Sequence, residues 1–379
     1  MHLKKVSDLT LYYISLVFSY SYFWIALAVP YLMSRGLTAV ETFSLMSIYQ
    51  LIGVMIEYPT SILGDRYGYR RTVILGNLFC ASSMIILVQP GNYWYYMLGL
   101  ATLAIGTSLL SGNDQGMLKQ LSSRVRYDTA KRSSVAEFVL FLSAIVGGWL
   151  GSISYSLALY VSGALMLFAI IPLLLIDNQS TKKSSVHGIK KIIIDGLRSL
   201  TDKVFQQMFL VLAIYGGFFF TIKSIFGSFG ELYSYPVELI GVIVGLGALS
   251  RSLGSALYAK YQSLTKLPLL LFMSVVIIVL AISTPQIIII LLLAFQLLVG
   301  YVLSSIDGDI QDLAQDHVRS SIFSFKRLIM KLFSSGYLLL YGFMVDLGLF
   351  SLMMLVLGLT MLLTAYLTRS YSRVNLSHN

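Results

Sequence analysis

The sequence predicts an all-α membrane protein whose twelve transmembrane helices form two pseudo-symmetric six-helix bundles. Three observations predict it. The 379-residue chain is 57% hydrophobic, with a mean hydropathy of +0.79, too oily for water to be its solvent. Its apolar residues run in long stretches without the alternation of a barrel, and only helices or closed barrels satisfy the backbone in lipid. Short matches also recur between the first and second halves of the chain.

Each crossing takes about 20 apolar residues. Twelve stretches answer that need: 10–33, 40–63, 72–89, 93–116, 133–152, 155–176, 205–228, 237–258, 267–283, 286–306, 322–345 and 347–368. The first follows Lys4 and Lys5. It lacks a small-residue cleavage site and exceeds a signal-peptide core, so it is expected to be retained. Cys80 is alone, which excludes a disulfide framework. The net charge of +10 would suit a polyanionic partner, but placement decides otherwise. With the N-terminus inside, all basic residues except Arg35, Lys223 and Arg251 fall in cytoplasmic segments, the bias that orients membrane helices. The charge records topology: no nucleic acid is expected, and both termini are expected in the cytoplasm.

The longest polar stretch, Asp177 to Lys203, separates spans 6 and 7. Ile189, Ile193, Leu197 and Leu200 recur there at helical spacing among Lys190, Lys191 and Arg198. This pattern suits an amphipathic helix on the cytoplasmic leaflet; a disordered linker is the alternative. The expected organisation is an N-terminal bundle over 1–176, a linker over 177–204 and a C-terminal bundle over 205–379. "RSSVAEF" at Arg132 opens span 5 and "RSSIFSF" at Arg319 opens span 11. "ILGDRYGYRRTVIL" from Ile62 aligns with "ALYAKYQSLTKLPL" from Ala256 in the equivalent loop. Parallel six-helix repeats around a midplane site are a recurrent transporter plan.

The stretch "EYPTSILGDRYGYRRTVILG", residues 57–76, concentrates Glu57, Asp65, Arg66, Arg70 and Arg71 in an otherwise apolar region. Here the chain resembles the major facilitator superfamily of secondary transporters, whose loop between spans 2 and 3 reads Gly-x-Leu-Ala-Asp-Arg-x-Gly-Arg-Lys. Leu63, Asp65, Arg66, Gly68 and Arg70 fit that pattern, while Ser61, Gly64 and Tyr69 depart from it. Upstream, "EYPTSILGD" resembles bacterial drug-efflux-like members. The resemblance implies that Asp65 accepts bonds from the N-terminal end of span 11, where unpaired N–H groups favour an anion. It implies that Arg66 and Arg70 hold that carboxylate and nearby backbone oxygens, while Gly68 permits the tight turn. The antiporter pattern of span 5 is incomplete: "SAIVGGWLG" keeps Gly147, Gly148 and Gly151 without a proline. "GTSLLSGNDQG" stands in span 4 where the family's proton-coupling arginine pattern is found.

Ionisable residues at membrane depth are costly and face a cavity or a partner. On span 2, Gln50, Gly53, Glu57 and Ser61 share one helical face,. Glu57, Asp114 and Glu137 are the proton-coupling candidates, desolvation being able to raise a carboxylate into a proton-carrying range. For Asp114 a second reading places it in the signature loop, held by Arg66 or Arg70. The second half supplies cations instead: Lys223, Arg251, Arg327 and Lys331. Because spans 2 and 11, and 5 and 8, meet between the halves in the resembled family, two pairings are expected, Glu57 with Lys331 and Glu137 with Arg251. Arg327 is read as snorkelling to the inner leaflet, and Lys223 as lying near the outer end of span 7 and reaching water. Among the aromatics, Tyr20, Trp24 and Tyr215, together with Gln50, are candidates for lining a substrate cavity, with lipid-facing positions as the alternative.

The expectation is a monomeric secondary transporter of a bacterial inner membrane, exporting an amphipathic compound such as an antibiotic in exchange for protons. Uptake of a small polar or zwitterionic solute with protons is the alternative, and a non-transporting membrane sensor a remote one. No enzyme activity, cofactor or metal is expected. All four histidines, His2, His187, His317 and His378, lie outside the predicted spans, and no Gly-x-x-x-x-Gly-Lys-Ser/Thr loop supports ATP-driven pumping.

Overall fold

Apolar length and hydrogen-bonding caps decide where each helix begins and ends. In the computed structural model, which describes residues 7–176, 189–261 and 264–372, the helices are α1 (Asp8–Tyr20), α2 (Trp24–Ser34), α3 (Ala39–Tyr67), α4 (Tyr69–Val88), α5 (Tyr93–Leu110), α6 (Asn113–Leu121), α7 (Val125–Ile153), α8 (Tyr155–Phe168) and α9 (Ile170–Leu175). They continue as α10 (Ile189–Ser199), α11 (Lys203–Val211), a π-helical turn (Leu212–Gly216), α12 (Gly217–Tyr233), α13 (Val237–Lys260), α14 (Lys266–Leu280), α15 (Pro285–Leu313), α16 (Asp316–Asp346), α17 (Phe350–Leu367) and α18 (Arg369–Ser372). Side chains satisfy the first N–H groups of several helices: Ser7 accepts from Thr10 N at 3.2 Å, Asn92 from Tyr95 N at 3.1 Å and Asp202 from Val204 N at 2.7 Å,. Gly68, at φ +97°, makes a one-residue turn between α3 and α4 in a conformation open to glycine.

Eleven helical stretches among the described residues are long and apolar enough to cross a membrane, and Lys266–Leu280 adds a shorter apolar helix. These twelve coincide with the stretches read from the sequence. Large apolar side chains such as Trp94, Phe168 and Ile282 stay exposed, as suits a lipid-facing exterior.

The chain divides into two compact units: Met1–Gly36, Ile48–Val186 and Ser234–Gly245 form the first, and Leu37–Ser47, His187–Tyr233 and Leu246–Asn379 the second. In unit 1 small residues bring helices into close approach. A Cβ on Gly106 of α5 would meet Cys80 N of α4 at 2.7 Å. The incomplete antiporter stretch has a packing role here: a Cβ on Gly147 would lie 2.5 Å from Phe23 O, and one on Gly148 2.8 Å from Gly241 Cα at the start of α13.

In unit 2 the opening of α3 packs on α16. Phe43 meets Tyr341 edge-to-face at 4.6 Å, and Ser47 donates to Ser335 O at 2.8 Å. Asp346, at the end of α16, accepts the free N–H groups of Ala39 at 3.1 Å and Val40 at 3.0 Å. The linker segment over 189–199 is helical and packs on α16. Gly196 lies under the Phe325 ring and Asp195 is buried, while Leu197 points outward at 54% exposure. The absence of a side chain at Gly196 lets α10 approach the ring. The expected contributions of Ile189 and Ile193 lie outside the described side chains. A buried polar cluster closes one end of unit 2: Lys266 pairs with Asp309 at 3.0 Å, Tyr371 donates to the same carboxylate, and Lys266 sits 5.1 Å over the Tyr371 ring. Burial among carboxylates pushes the Tyr371 hydroxyl well above its ordinary pKa.

Candidate functional site

Two membrane helices of unit 1 break beside the same cavity. The first break separates α1 from α2 at "SYF", residues 21–23. Ser21 turns its hydroxyl back to Val17 O at 2.9 Å, a local bond that competes with helix continuation. Neighbouring hydroxyls then serve the opened backbone: Phe23 N donates to Ser162 Oγ at 3.2 Å and Ser143 Oγ to Tyr20 O at 3.3 Å. Non-helical backbone at membrane depth is tolerated where protein or a cavity satisfies it. The second break separates α5 from α6. Ser111 is extended, and Gly112 takes φ +80° with nothing within 4 Å of a would-be Cβ, so backbone conformation and not space calls for glycine. Asn113 Nδ2 donates to Leu109 O at 2.8 Å and Thr60 O at 3.2 Å, and the Thr60 hydroxyl lies 3.0 Å from Ser108 O. The carbonyls freed at the end of α5 are thereby served.

Between these breaks lies a cavity of about 380 Å³, with Tyr20, Tyr22, Cys80, Thr107, Ser111, Gln115 and Arg132 in its wall. Asp114 occupies the first turn of α6, where Oδ1 accepts the Gln115 N–H at 2.7 Å, a placement favoured by the helix dipole. Its Oδ2 accepts from Arg132 Nε at 2.9 Å and from Arg132 Nη2, and the Tyr20 hydroxyl lies at 3.5 Å. Arg132 Nη2 also donates to Tyr20 Oη at 2.5 Å. Tyr12 is buried beside the pair, its hydroxyl without a hydrogen-bond partner among the described residues. Below it, Tyr12, Leu16, Met117, Leu118 and Leu173 form an apolar cluster. The arrangement is a carboxylate and a guanidinium taken out of water, with Arg132, a phenol and the polar edge of a broken helix facing an open space.

Asp114 thus meets Arg132 and neither Arg66 nor Arg70, which corrects the signature-loop reading of Asp114. Arg66 is exposed, 5.4 Å from the Tyr67 ring. Arg70 donates to Ile176 O at the end of α9, serving a carbonyl that the helix cannot. The Asp65 side chain and those of residues 316–321 at the start of α16 lie outside the described residues. Glu57 and Glu137 are half-buried in unit 1, on α3 and α7, and Gln50 is buried on α3. Arg251 and Lys331 are half-buried in unit 2, and Arg327 is exposed there.

Two cavity candidates belong to the core instead. Trp24, 4% exposed, packs edge-to-face on Tyr31 at 5.9 Å, because the break in the first span separates it from Tyr20. Tyr215 is 1% exposed, and its hydroxyl is within reach of Leu270 O at 3.1 Å, Ser274 Oγ at 2.7 Å and Met361 O at 2.7 Å. Those partners fix it between helices of unit 2. Lys223, on α12, is exposed. Sequence reasoning counted Arg132 only as a topology marker. The signal that would have paired it with Asp114 is opposite charge on either side of one short loop.

The chain matches the family model of the Major Facilitator Superfamily over residues 9–335. No curated protein sequence matches it. Among solved structures, it is similar to a mutant form of the nucleoside transporter NupG (TM-score 0.78, 14% identity, 96% of this chain and 99% of the other). A POT family transporter in complex with 5-aminolevulinic acid is also similar (TM-score 0.73, 13% identity, 96% and 95%). So is a bacterial homolog of the human lysosomal transporter Spinster, in an inward-facing and unoccupied conformation (TM-score 0.72, 13% identity, 97% and 96%). These likenesses are of fold, and the drug-efflux-like affinity read from "EYPTSILGD" finds no support among them. A family match spanning most of the length, on a fold of twelve apolar helical stretches, makes the chain a member of the Major Facilitator Superfamily.

Proposed function

We propose that this protein moves a small amphipathic organic solute across a plasma membrane by proton-coupled alternating access, without enzymatic chemistry, and with both termini in the cytoplasm. The observation that supports the reading is the meeting of two broken membrane helices at a cavity whose wall includes Tyr20 and Arg132, the two partners of the buried Asp114 carboxylate. Broken helices mark solute and ion sites in secondary transporters. Ionisable groups at membrane depth mark coupling paths.

Asp114 is the coupling carboxylate on this reading. Protonation of Oδ2 removes the negative charge that holds Arg132, and the guanidinium becomes available to a solute or water in the cavity. Loss of the proton restores the pair. Glu57 and Glu137 are the further coupling candidates in the same unit. The apolar part of the wall, with the Tyr20 and Tyr22 rings, suits the non-polar face of the solute.

The test is transport by the purified chain in reconstituted vesicles under an imposed pH gradient, across a panel of amphipathic solutes and nucleoside- and peptide-like compounds. Flux against the proton gradient identifies exchange, and flux along it identifies co-transport. Asp114→Asn is expected to uncouple flux from the gradient. Coupling undiminished in that variant would remove Asp114 from the mechanism, and a panel without any protein-dependent flux would overturn the transport reading.

A further inference from the structure

The cavity of unit 1 is lopsided in charge. Among the described residues of its wall Arg132 alone is ionic; the others are hydroxyls, a thiol, an amide and apolar groups such as Leu110, Leu140 and Met166. Its counter-ion Asp114 is 5% exposed and does not line the space. A solute therefore meets a guanidinium and no carboxylate, which favours an anion and leaves a cation without a partner.

The way Asp114 holds Arg132 decides when that guanidinium is free. Oδ1 is occupied by the Gln115 N–H at 2.7 Å. Oδ2 receives both Nε, at 2.9 Å, and Nη2 of Arg132, so a single oxygen faces the forked edge of the guanidinium. A proton on Oδ2 sets an O–H against those two donors, and the edge has to turn away. The Tyr20 hydroxyl lines the cavity and lies 3.5 Å from Oδ2, where it can accept from the new O–H. No described group accepts from the remaining nitrogen, Nη1. The other titratable groups around α6 are phenols, neutral near pH 7, or are held elsewhere. Tyr12 comes from α1, and Tyr69 of α4 packs on Gly116. Arg70 serves Ile176 O, Asp128 accepts from Ser122 at 2.6 Å, and Lys131 lies 4.7 Å from the Tyr13 ring centre.

We infer that the solute of this cavity is a small organic monocarboxylate, which takes the place of Asp114 on Arg132 as Asp114 takes up a proton. The inference rests on Asp114 being the coupling carboxylate, as proposed above. One carboxylate replaces another, but the solute brings two oxygens to the Nε–Nη2 fork where Asp114 offers one. The Tyr20 and Tyr22 rings with Leu110, Leu140 and Met166 receive its apolar body,. One negative charge and one proton enter together, so their joint passage moves no net charge. A phosphate monoester, with about −1.5 to −2 charges near pH 7, brings more charge than one proton balances.

The experiment is calorimetric titration of the purified full chain with benzoate, its neutral isostere benzamide or phenyl phosphate, in buffers of different ionisation enthalpy so that protons are counted. Benzoate is expected to bind with uptake of about one proton, its Kd falling up to about tenfold for each pH unit lowered. Benzamide and phenyl phosphate are expected to bind at least about tenfold more weakly. Asp114→Asn, which imitates the protonated acid, is expected to bind benzoate more tightly at alkaline pH, without proton uptake or pH dependence. Arg132→Gln is expected to abolish binding, and Arg132→Lys to weaken it while keeping the proton linkage. Should Arg132→Gln fail to fold because Asp114 is left buried alone, the double variant Asp114→Asn, Arg132→Gln takes its place with the same expected loss. Benzamide binding as tightly as benzoate, benzoate binding without proton uptake, undiminished uptake in Asp114→Asn, or no benzoate binding would overturn the inference. Proton-linked benzoate binding without flux in vesicles would count against transport and leave this site standing. Flux of neutral solutes coupled through Asp114, with benzoate unbound, would do the reverse.

Discussion

Unit 1 and unit 2 each bury a carboxylate, a cation and a tyrosine together, and they put the trio to opposite uses. In unit 2, Asp309, Lys266 and Tyr371 close on one another, and α15 runs through Asp309 without interruption from Pro285 to Leu313. In unit 1, Asp114 and Arg132 sit where α5 and α6 part, next to an open space of about 380 Å³. The chemistry is alike, but the backbone around it differs. A continuous helix seals one ion pair as a fastening, and a broken helix exposes the other to whatever enters the cavity. The same asymmetry touches the first span of each unit, which breaks at residues 21–23 in one and only widens into a π turn at Leu212–Gly216 in the other.

The comparison is broken most directly by stranding each cation in turn. Asp309→Ala leaves Lys266 buried without its carboxylate and is expected to cost about 3–5 kcal/mol, read as a large fall in Tm or loss of folded protein. Asp114→Ala is expected to cost less, about 1–3 kcal/mol, because water in the cavity can solvate Arg132. Equal losses in the two variants would mean that the cavity does not distinguish them. Gly112→Ala comes next. The added methyl meets no neighbour, so the expected cost is the conformational ~1–2 kcal/mol of a left-handed residue, and no loss of Tm would show that the break relaxes freely. The smallest effect is expected from Asp346→Asn, which keeps the size of the cap on α3 but removes its charge and one of the two oxygens that accept from Ala39 N and Val40 N, about 0.5–1.5 kcal/mol. Since the charge contributes to that effect, the Tm difference from the unmodified chain should not grow as salt is added.

Much of this architecture is written in apolar length. All twelve helical stretches are legible because about 20 apolar residues are needed to cross lipid whatever the neighbours do. The breaks are not. "SYF" and "SGN" differ little from other serine- and glycine-containing turns of these helices, and their opening depends on Ser143, Ser162 and Thr60 arriving from elsewhere in the fold. The same limit explains Arg132, whose role follows from meeting Asp114 across a loop. It also explains Tyr215, whose hydroxyl lies within hydrogen-bond reach of three oxygen atoms from α14 and α17, far along the chain. Helical spacing holds only while the helix continues, and the break at residues 21–23 leaves Tyr20 on the cavity wall and Trp24 in the core.

Cys80, the sole cysteine, is 1% exposed and yet borders the cavity. Nature has thus supplied a single-thiol reporter at the place of interest, with no background sulfhydryls to remove first. The rate at which a small methanethiosulfonate reagent modifies it becomes a stopwatch for how often the chamber admits solvent, and a bound solute that slows the labelling can be recognised before anything is known of its passage.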